Sequence, residues 1–397
     1  MLKKINIIII LLISFLIPVN AEELNLNSEK YILYNLDNDS VLLEKQSNEK
    51  TSIASLTKIM SVIVAIEKIN DYDKKVTITN DMIKDIEWDV AKTGFKVGDK
   101  VTYDDLLYSA IVASGADSVN ALAISLSGSL EDYVTLMNKK AKELNMNDTH
   151  FTNVIGLYDI NHYSTAEDMA KLLKYALKNN KFKEIFEAEY YITSNNKKLR
   201  STISKYNNDK NDISFITGAK TGYLSKSGNC LASTSHISGV NYLLITLNSY
   251  KGSTSHIQDA VKVYKYFGNK YENKKIVGKE DIVVTLKTKC SKEKELGIKA
   301  NKNITKFMEK DISKDKISYI YDGIEKVSYF TKKGTKLGTI KIMYNNNELE
   351  SFDLIYNEVL TFSLLAFIWN YKIIIILLIF SFIIIKSKKP KRKRKHK

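Results

Sequence analysis

Apolar residues recur three and four positions apart through much of the first half of the chain, and this spacing predicts helices. The segment from Ile53 to Val64 is the densest example, because almost every helical face of it carries an aliphatic side chain. Similar patterns predict helices over 103–113, 130–144 and 255–267. A further helix is predicted after Ser164-Thr165-Ala166-Glu167, which reads as a capping box from Ser164 to Glu167.

In other segments apolar and polar residues alternate, as they do in β-strands. Residues 31–36 and 41–44 predict a hairpin around the turn formers Asp37-Asn38-Asp39-Ser40, and 230–234 and 240–247 predict later strands. Helices between early and late strands indicate an α+β fold with a helical cluster on an antiparallel sheet, assigned to 22–269. Short strands at 282–286, 317–321, 327–330 and 339–343 predict a small all-β domain over 270–360.

Both ends of the chain indicate export. Lys3 and Lys4, an apolar stretch and a small residue at Ala21 predict a signal peptide over 1–21, with an uncleaved anchor as the alternative. Residues 364–385 predict a transmembrane helix, and the tail 386–397 carries nine Lys or Arg residues. The positive-inside rule places this tail in the cytoplasm and the rest of the chain outside the cell.

The net charge is mostly a consequence of these ends. Without the nine tail cations and the two leader lysines, the formal charge of +15 falls to +4, which argues against nucleic-acid binding. Two cysteines, Cys230 and Cys290, are too few for a disulfide framework, and both free thiols and a single bridge remain open. The five histidines show no metal-ligand spacing, so we expect neither a metal nor another cofactor.

Three short elements suggest chemistry: Ser55-Leu56-Thr57-Lys58, Ser114-Gly115 and Lys220-Thr221-Gly222. Residues three apart share a helix face, so a lysine held on an apolar helix beside Ser55 loses hydration and can act as a neutral base. The pattern indicates an acyl-transferring serine enzyme with a lysine base. The same Ser-x-x-Lys spacing occurs elsewhere only in polar stretches typical of solvated surface. These are Ser47/Lys50, Ser194/Lys197, Ser291/Lys294 and Ser313/Lys316.

These elements resemble, in order, the motifs of the penicillin-binding D-alanyl-D-alanine carboxypeptidases, serine peptidases of the bacterial cell wall with a β-lactamase/transpeptidase-like fold. The resemblance extends over nearly the whole chain. It includes the segments 53–60, 113–117, 150–157, 162–166, 220–223 and 227–231, and the C-terminal β-domain with its membrane anchor.

The resemblance implies a role for each motif residue. Ser55 would attack the penultimate D-alanine of a peptidoglycan stem peptide and become acylated, and Lys58 would accept its proton. Ser114 would relay a proton to the leaving amine. Lys220, Thr221, Gly222 and Tyr223 would bind substrate, with the terminal carboxylate on Lys220 and Thr221 and the oxyanion on the N–H groups of Ser55 and Tyr223. β-Lactam antibiotics would acylate Ser55 as inhibitors.

The second motif departs from the family pattern. Ala116 occupies the place of the usual asparagine. A literal Ser-x-Asn occurs four residues on, at Ser118-Val119-Asn120, about one helical turn away, but the Ser-Gly-x-Asp pattern favours Ser114 as the match. Arg200 replaces part of the segment that usually precedes the third motif, and it could contact substrate or lie on the surface. Two other functions remain open. One is a protein that binds wall peptide or penicillin without turnover, and the other is a class A β-lactamase, for which Glu167 is the nearest glutamate.

Overall fold

The computed structural model describes residues 24–207, 212–312 and 316–387. The predicted signal peptide and nearly all of the basic tail lie outside the described residues. The chain divides into two compact units, which meet between Lys270 and Tyr271.

The first unit is built on a five-stranded antiparallel sheet. The described strands of the whole unit, five of which form this sheet, are β1 (Ser28–Asn35), β2 (Ser40–Lys45), β3 (Lys75–Thr77), β4 (Lys100–Thr102), β5 (Tyr190–Ile192), β6 (Lys198–Arg200), β7 (Ile216–Leu224), β8 (Gly228–Ile237) and β9 (Val240–Ser249). The large sheet has the order β2-β1-β9-β8-β7, so among the described strands β7 lies at its edge and pairs with β8. The predicted hairpin is β1–β2, and Cys230 is buried in β8 as a free thiol.

Seven helices complete the described part of this unit. They are α1 (Thr57–Lys68), α2 (Tyr103–Val112), α3 (Ala116–Ser127), α4 (Leu130–Glu143), α5 (Ala166–Ala176), α6 (Asn180–Glu187) and α7 (Ser255–Lys270). Ten of the twelve residues of α1 are buried, because α2, α3, α4, α5 and α6 surround it. The predicted helical cluster on an antiparallel sheet is confirmed.

The capping box predicted from Ser164 to Glu167 is wrong by one residue. Thr165 is the N-cap of α5, and its hydroxyl accepts a hydrogen bond from the Asp168 N–H at 3.0 Å. Ser164 is unable to cap because its backbone forms a two-way β-bridge with Thr51. The extended backbone at Ser164 therefore delays the start of the helix.

The second unit is the predicted small β-domain followed by one long helix. Its strands are β10 (Tyr271–Val277), β11 (Ile282–Lys289), β12 (Glu295–Lys299), β13 (Ile304–Glu309), β14 (Ile317–Gly323), β15 (Lys326–Ser328), β16 (Lys336–Tyr344) and β17 (Asn347–Ile355). They form three small sheets around a hydrophobic core, with the orders β10-β13, β12-β11-β15 and β14-β16-β17. Helix α8 (Leu364–Ser387) is long and apolar enough over Leu364–Lys386 to cross a membrane.

Candidate active site

Ser55 lies on a tight 3-10 turn, Ala54–Leu56, immediately before α1. Ala54 has a φ of +48°, in the left-handed region that costs a residue with a Cβ atom free energy. Lys58 is in the first turn of α1, three residues after Ser55. The distance from Lys58 Nζ to Ser55 Oγ is 2.7 Å, so the predicted hydroxyl–amine pair is formed.

Lys58 is almost completely buried, with 1% of its surface exposed. Burial lowers the pKa of Lys58 to about 7, and the Asp117 carboxylate opposes this change only partly. The amine also donates to the Ile155 carbonyl at 2.9 Å, which fixes its position. A substantial fraction of Lys58 is therefore neutral near pH 7 and able to accept a proton.

A short loop after α4 supports the Ser55 turn. The Asn153 side-chain oxygen accepts hydrogen bonds from the N–H groups of Ile155, Gly156 and Leu157 at 3.3, 2.7 and 3.0 Å. Gly156 has a φ of +89°, and a Cβ atom added there would lie 2.0 Å from the carbonyl oxygen of Ala54. The loop therefore packs against the Ser55 turn at its most crowded point and presents the Ile155 carbonyl to Lys58.

His162 connects this loop to the first residue of α1 through hydrogen bonds. Its Nδ1 accepts a hydrogen bond from the Thr152 N–H at 3.1 Å, so the proton is on Nε2, which donates to Thr57 Oγ1 at 2.9 Å. Burial lowers the pKa of His162 to about 4, so the ring is neutral at physiological pH. His162 thus ties the loop to the start of α1 and does not contact Ser55.

The second serine meets the second lysine across a long separation in sequence. Ser114 lies between α2 and α3 with a φ of +57°, and its Oγ accepts a hydrogen bond from Lys220 Nζ at 2.9 Å. Lys220 is fully buried in β7 and also donates to the Thr221 carbonyl at 2.7 Å. Burial, and secondly the charge of Lys58, lower the pKa of Lys220.

Strand β7 brings the two pairs together by passing close to the Ser55 turn. A Cβ atom added at Gly222 would lie 3.1 Å from the Ser55 nitrogen, so this close approach favours glycine. Thr221 donates through Oγ1 to Thr202 Oγ1 at 2.8 Å, and Tyr223 is 65% exposed at the outer edge. Sequence reasoning assigned no role to Thr202, because its contact with Thr221 depends on the fold.

The residues after Ser114 organise a neighbouring loop. Asp117 accepts hydrogen bonds from the N–H groups of Thr93, Gly94 and Phe95 at 2.8, 2.8 and 3.0 Å. Ala116, which stands where the asparagine was expected, is fully buried, and its N–H donates to a carbonyl of the same loop at 2.9 Å. The second motif therefore supplies one hydroxyl, Ser114, and an anchor for the loop.

Asn120 and Arg200 are not drawn into this constellation. Asn120 is buried on α3, but within the described residues no hydrogen bond joins it to Ser55, Lys58 or Ser114. Arg200 is exposed at the end of β6 and donates to the hydroxyl and carbonyl of Ser204 at 2.9 and 3.1 Å.

Glu167 is not held by a capping box. Its carboxylate accepts a hydrogen bond from the Tyr34 hydroxyl at 2.9 Å. Within residues 24–207, 212–312 and 316–387, no group of three or more His, Cys, Asp or Glu side chains could hold a metal ion.

Comparison with known proteins identifies the family of this chain. The profile of the D-alanyl-D-alanine carboxypeptidase family matches residues 18–251, and that of the C-terminal domain of penicillin-binding protein 5 matches residues 271–360. The chain is 28% identical over 330 residues to the D-alanyl-D-alanine carboxypeptidase DacF of Bacillus subtilis, covering 81% of this chain and 82% of the relative.

Solved structures share the fold. Penicillin-binding protein 3 of Streptococcus pneumoniae, titled a peptidoglycan synthesis regulatory factor, superposes with a TM-score of 0.64 at 19% identity. This match covers 84% of this chain and 99% of the other. Penicillin-binding protein 5 of Haemophilus influenzae superposes with a TM-score of 0.62 at 20% identity, covering 85% and 98%. The family profile spans more than half of the chain, and the chain therefore belongs to the family of serine-type D-alanyl-D-alanine carboxypeptidases.

Proposed function

We propose that this protein removes the terminal D-alanine from peptidoglycan stem peptides through an acyl-enzyme on Ser55. The observation that carries the proposal is the 2.7 Å contact between Ser55 Oγ and a buried lysine whose pKa is lowered to about 7. A serine hydroxyl is a weak nucleophile unless a base removes its proton, and Lys58 is positioned to do so.

In the acylation step, Ser55 Oγ attacks the carbonyl carbon of the penultimate D-alanine while neutral Lys58 takes the hydroxyl proton. The carbonyl oxygen becomes negatively charged, and the N–H groups of Ser55 and Tyr223 would stabilise it. The close approach of Gly222 to the Ser55 nitrogen supports this assignment, because it brings β7 to the attacked carbonyl.

The carbon–nitrogen bond then breaks, and the amine of the terminal D-alanine takes a proton delivered from Lys58 through Ser114. Lys220 and Thr221 bind the free carboxylate of this residue. An incoming carboxylate favours the charged form of Lys220, so binding raises the lowered pKa of that amine. Water next attacks the Ser55 ester while Lys58 takes its proton, and that proton returns to Ser55 Oγ as the acyl group leaves.

The activity can be tested on the full-length protein in detergent micelles with a peptide that ends in D-alanyl-D-alanine. Release of D-alanine is expected from the wild type and not from Ser55→Ala. Ser47→Ala is the matched control, because Ser47 has the same spacing to a lysine but its hydroxyl donates to Glu44 at 2.6 Å. Ser47 is buried, so the surface position predicted for it is wrong. Undiminished release by Ser55→Ala, or equal loss in Ser47→Ala, would contradict the assignment.

A second candidate function follows from Ala116. An amide at this position is absent, so the proton relay through Ser114 has less support, and the protein would bind wall peptide or penicillin without turnover. The two functions differ in the fate of the acyl-enzyme: D-alanine released repeatedly supports the peptidase, whereas one equivalent of stable adduct supports the binding protein. A β-lactamase would instead hydrolyse penicillin rapidly.

We also propose that α8 spans the cytoplasmic membrane, with the catalytic domain outside the cell and the tail in the cytoplasm. The support is the apolar length of Leu364–Lys386 and the nine Lys or Arg residues over 386–397. Protease added to intact cells should digest the catalytic domain and spare an epitope placed after Lys397. Digestion of the epitope with the catalytic domain protected would reverse the topology.

A further inference from the structure

The β-domain carries exposed aromatic side chains at the end from which α8 departs. The loop between β15 and β16, residues 329–335, begins with Tyr329 and Phe330, which are 41% and 56% exposed. Their rings lie 5.3 and 6.2 Å from the ring of Phe362, and Phe330 lies 6.2 Å from Phe367. Tyr371 continues the series 5.0 Å from Phe367. We call these five residues the aromatic rim.

The rim is fixed relative to the start of α8. The Ser363 N–H donates to the Cys290 carbonyl at 3.1 Å, and the Lys292 N–H donates to the Thr361 carbonyl at 2.9 Å. The Glu293 carboxylate accepts from the Ser291 hydroxyl and from the Thr361 N–H, the latter at 3.0 Å, and these hydrogen bonds lower the pKa of Glu293 to about 2. The chain therefore enters α8 directly from a segment bonded to the β-domain, without a free linker.

The rim has the chemistry of a membrane boundary. Aromatic rings are enriched where hydrocarbon meets headgroups, and an exposed cluster of them on a soluble face is unusual. Lys332 and Lys333 follow in the same loop, both are exposed, and residues 329–335 contain no acidic side chain. Cations beside an aromatic surface favour a bilayer with anionic headgroups.

We propose that the loop 329–335, with the rest of the aromatic rim, docks into the interface of an anionic bilayer. The β-domain is then held at two places, by α8 and by this loop, and its base rests on the membrane. The inference rests on the proposed membrane insertion of α8, because the loop reaches lipid only if α8 does. The continuity of the rim from Phe330 through Phe362 into α8 is what selects lipid as the occupant.

The test uses the full chain reconstituted into phosphatidylcholine vesicles, with and without phosphatidylglycerol. A polarity-sensitive fluorophore is attached at Phe330→Cys, and brominated lipids quench it only if it enters the bilayer. Cys230 and Cys290 are fully buried and will not compete for the label. The matched control is Asn346→Cys, in the β16–β17 turn. The nine residues of β16 separate this turn from the 329–335 loop by about 26 Å.

The expected result is a loss of emission at position 330, greater with phosphatidylglycerol, and none at position 346. Flotation of the protein with the vesicles reports on α8 independently. Flotation without quenching at 330 overturns this inference and leaves the anchor standing, while loss of flotation overturns both. Equal quenching at 330 and 346 also overturns the specific docking. In Lys332→Glu/Lys333→Glu, the preference for phosphatidylglycerol should vanish, and a retained preference would refute the role of these cations.

Discussion

The lowered pKa of Lys58 makes a quantitative prediction about the pH dependence of acylation. An ordinary lysine with a pKa of 10.5 is only about 0.03% neutral at pH 7, whereas Lys58 with a pKa of about 7 is about half neutral. Burial therefore increases the fraction of active base about 1,000-fold at this pH. The rate of acylation should rise about tenfold per pH unit below pH 7 and level off above it, because the neutral amine is the reactive form.

The assay is the second-order rate of acylation by a fluorescent penicillin, measured from pH 5 to pH 9 on the full-length protein, with circular dichroism to confirm that the fold persists. Lys58→Arg supplies the matched variant, since arginine stays charged over this range and should lose about 1,000-fold or more in rate. A rate that is flat between pH 5 and pH 7, or that still rises tenfold per pH unit between pH 8 and pH 9, would refute the reasoning.

Three further substitutions test the supports of the site. Gly156→Ala forces a Cβ atom against the Ala54 carbonyl at positive φ, so unfolding by urea should show a loss of about 1–3 kcal/mol and acylation should slow. Asn153→Ala leaves three backbone N–H groups without their acceptor, which should cost about 1–3 kcal/mol and reduce the acylation rate. Unchanged unfolding in either variant would contradict the loop's role. Thr221→Val removes the hydroxyl bonded to Thr202 and should raise KM for the peptide, whereas an unaltered KM would remove Thr221 from carboxylate binding.

The local part of the site was predictable from the residues themselves. Lys58 lies in the first turn of a strongly apolar helix and Ser55 three residues earlier on the turn that leads into it, so their contact follows from near-helical spacing. The contact between Ser114 and Lys220 joins positions 106 residues apart, and only the resemblance to a known family indicated it. No spacing rule predicts that β7 passes beside the Ser55 turn.

The residues that hold the site in place could not be predicted from the sequence, because their roles also depend on tertiary contacts. Asn153 binds three N–H groups in its own loop, as turn-forming asparagines commonly do. Its importance for the site comes from the packing of that loop against the Ser55 turn, which the sequence does not reveal. The capping error at Ser164 is similar, since serine and threonine both cap helices and a β-bridge to Thr51 decided between them. Local propensity predicted a helix start, and a tertiary contact moved it by one residue.

The most direct test of the central claim is mass spectrometry of the full-length protein after exposure to penicillin, with the adduct mapped to a peptide. The account predicts one adduct, on Ser55, which is absent from Ser55→Ala and present in Ser47→Ala. An adduct on any other residue, or no adduct on a folded protein, would contradict it.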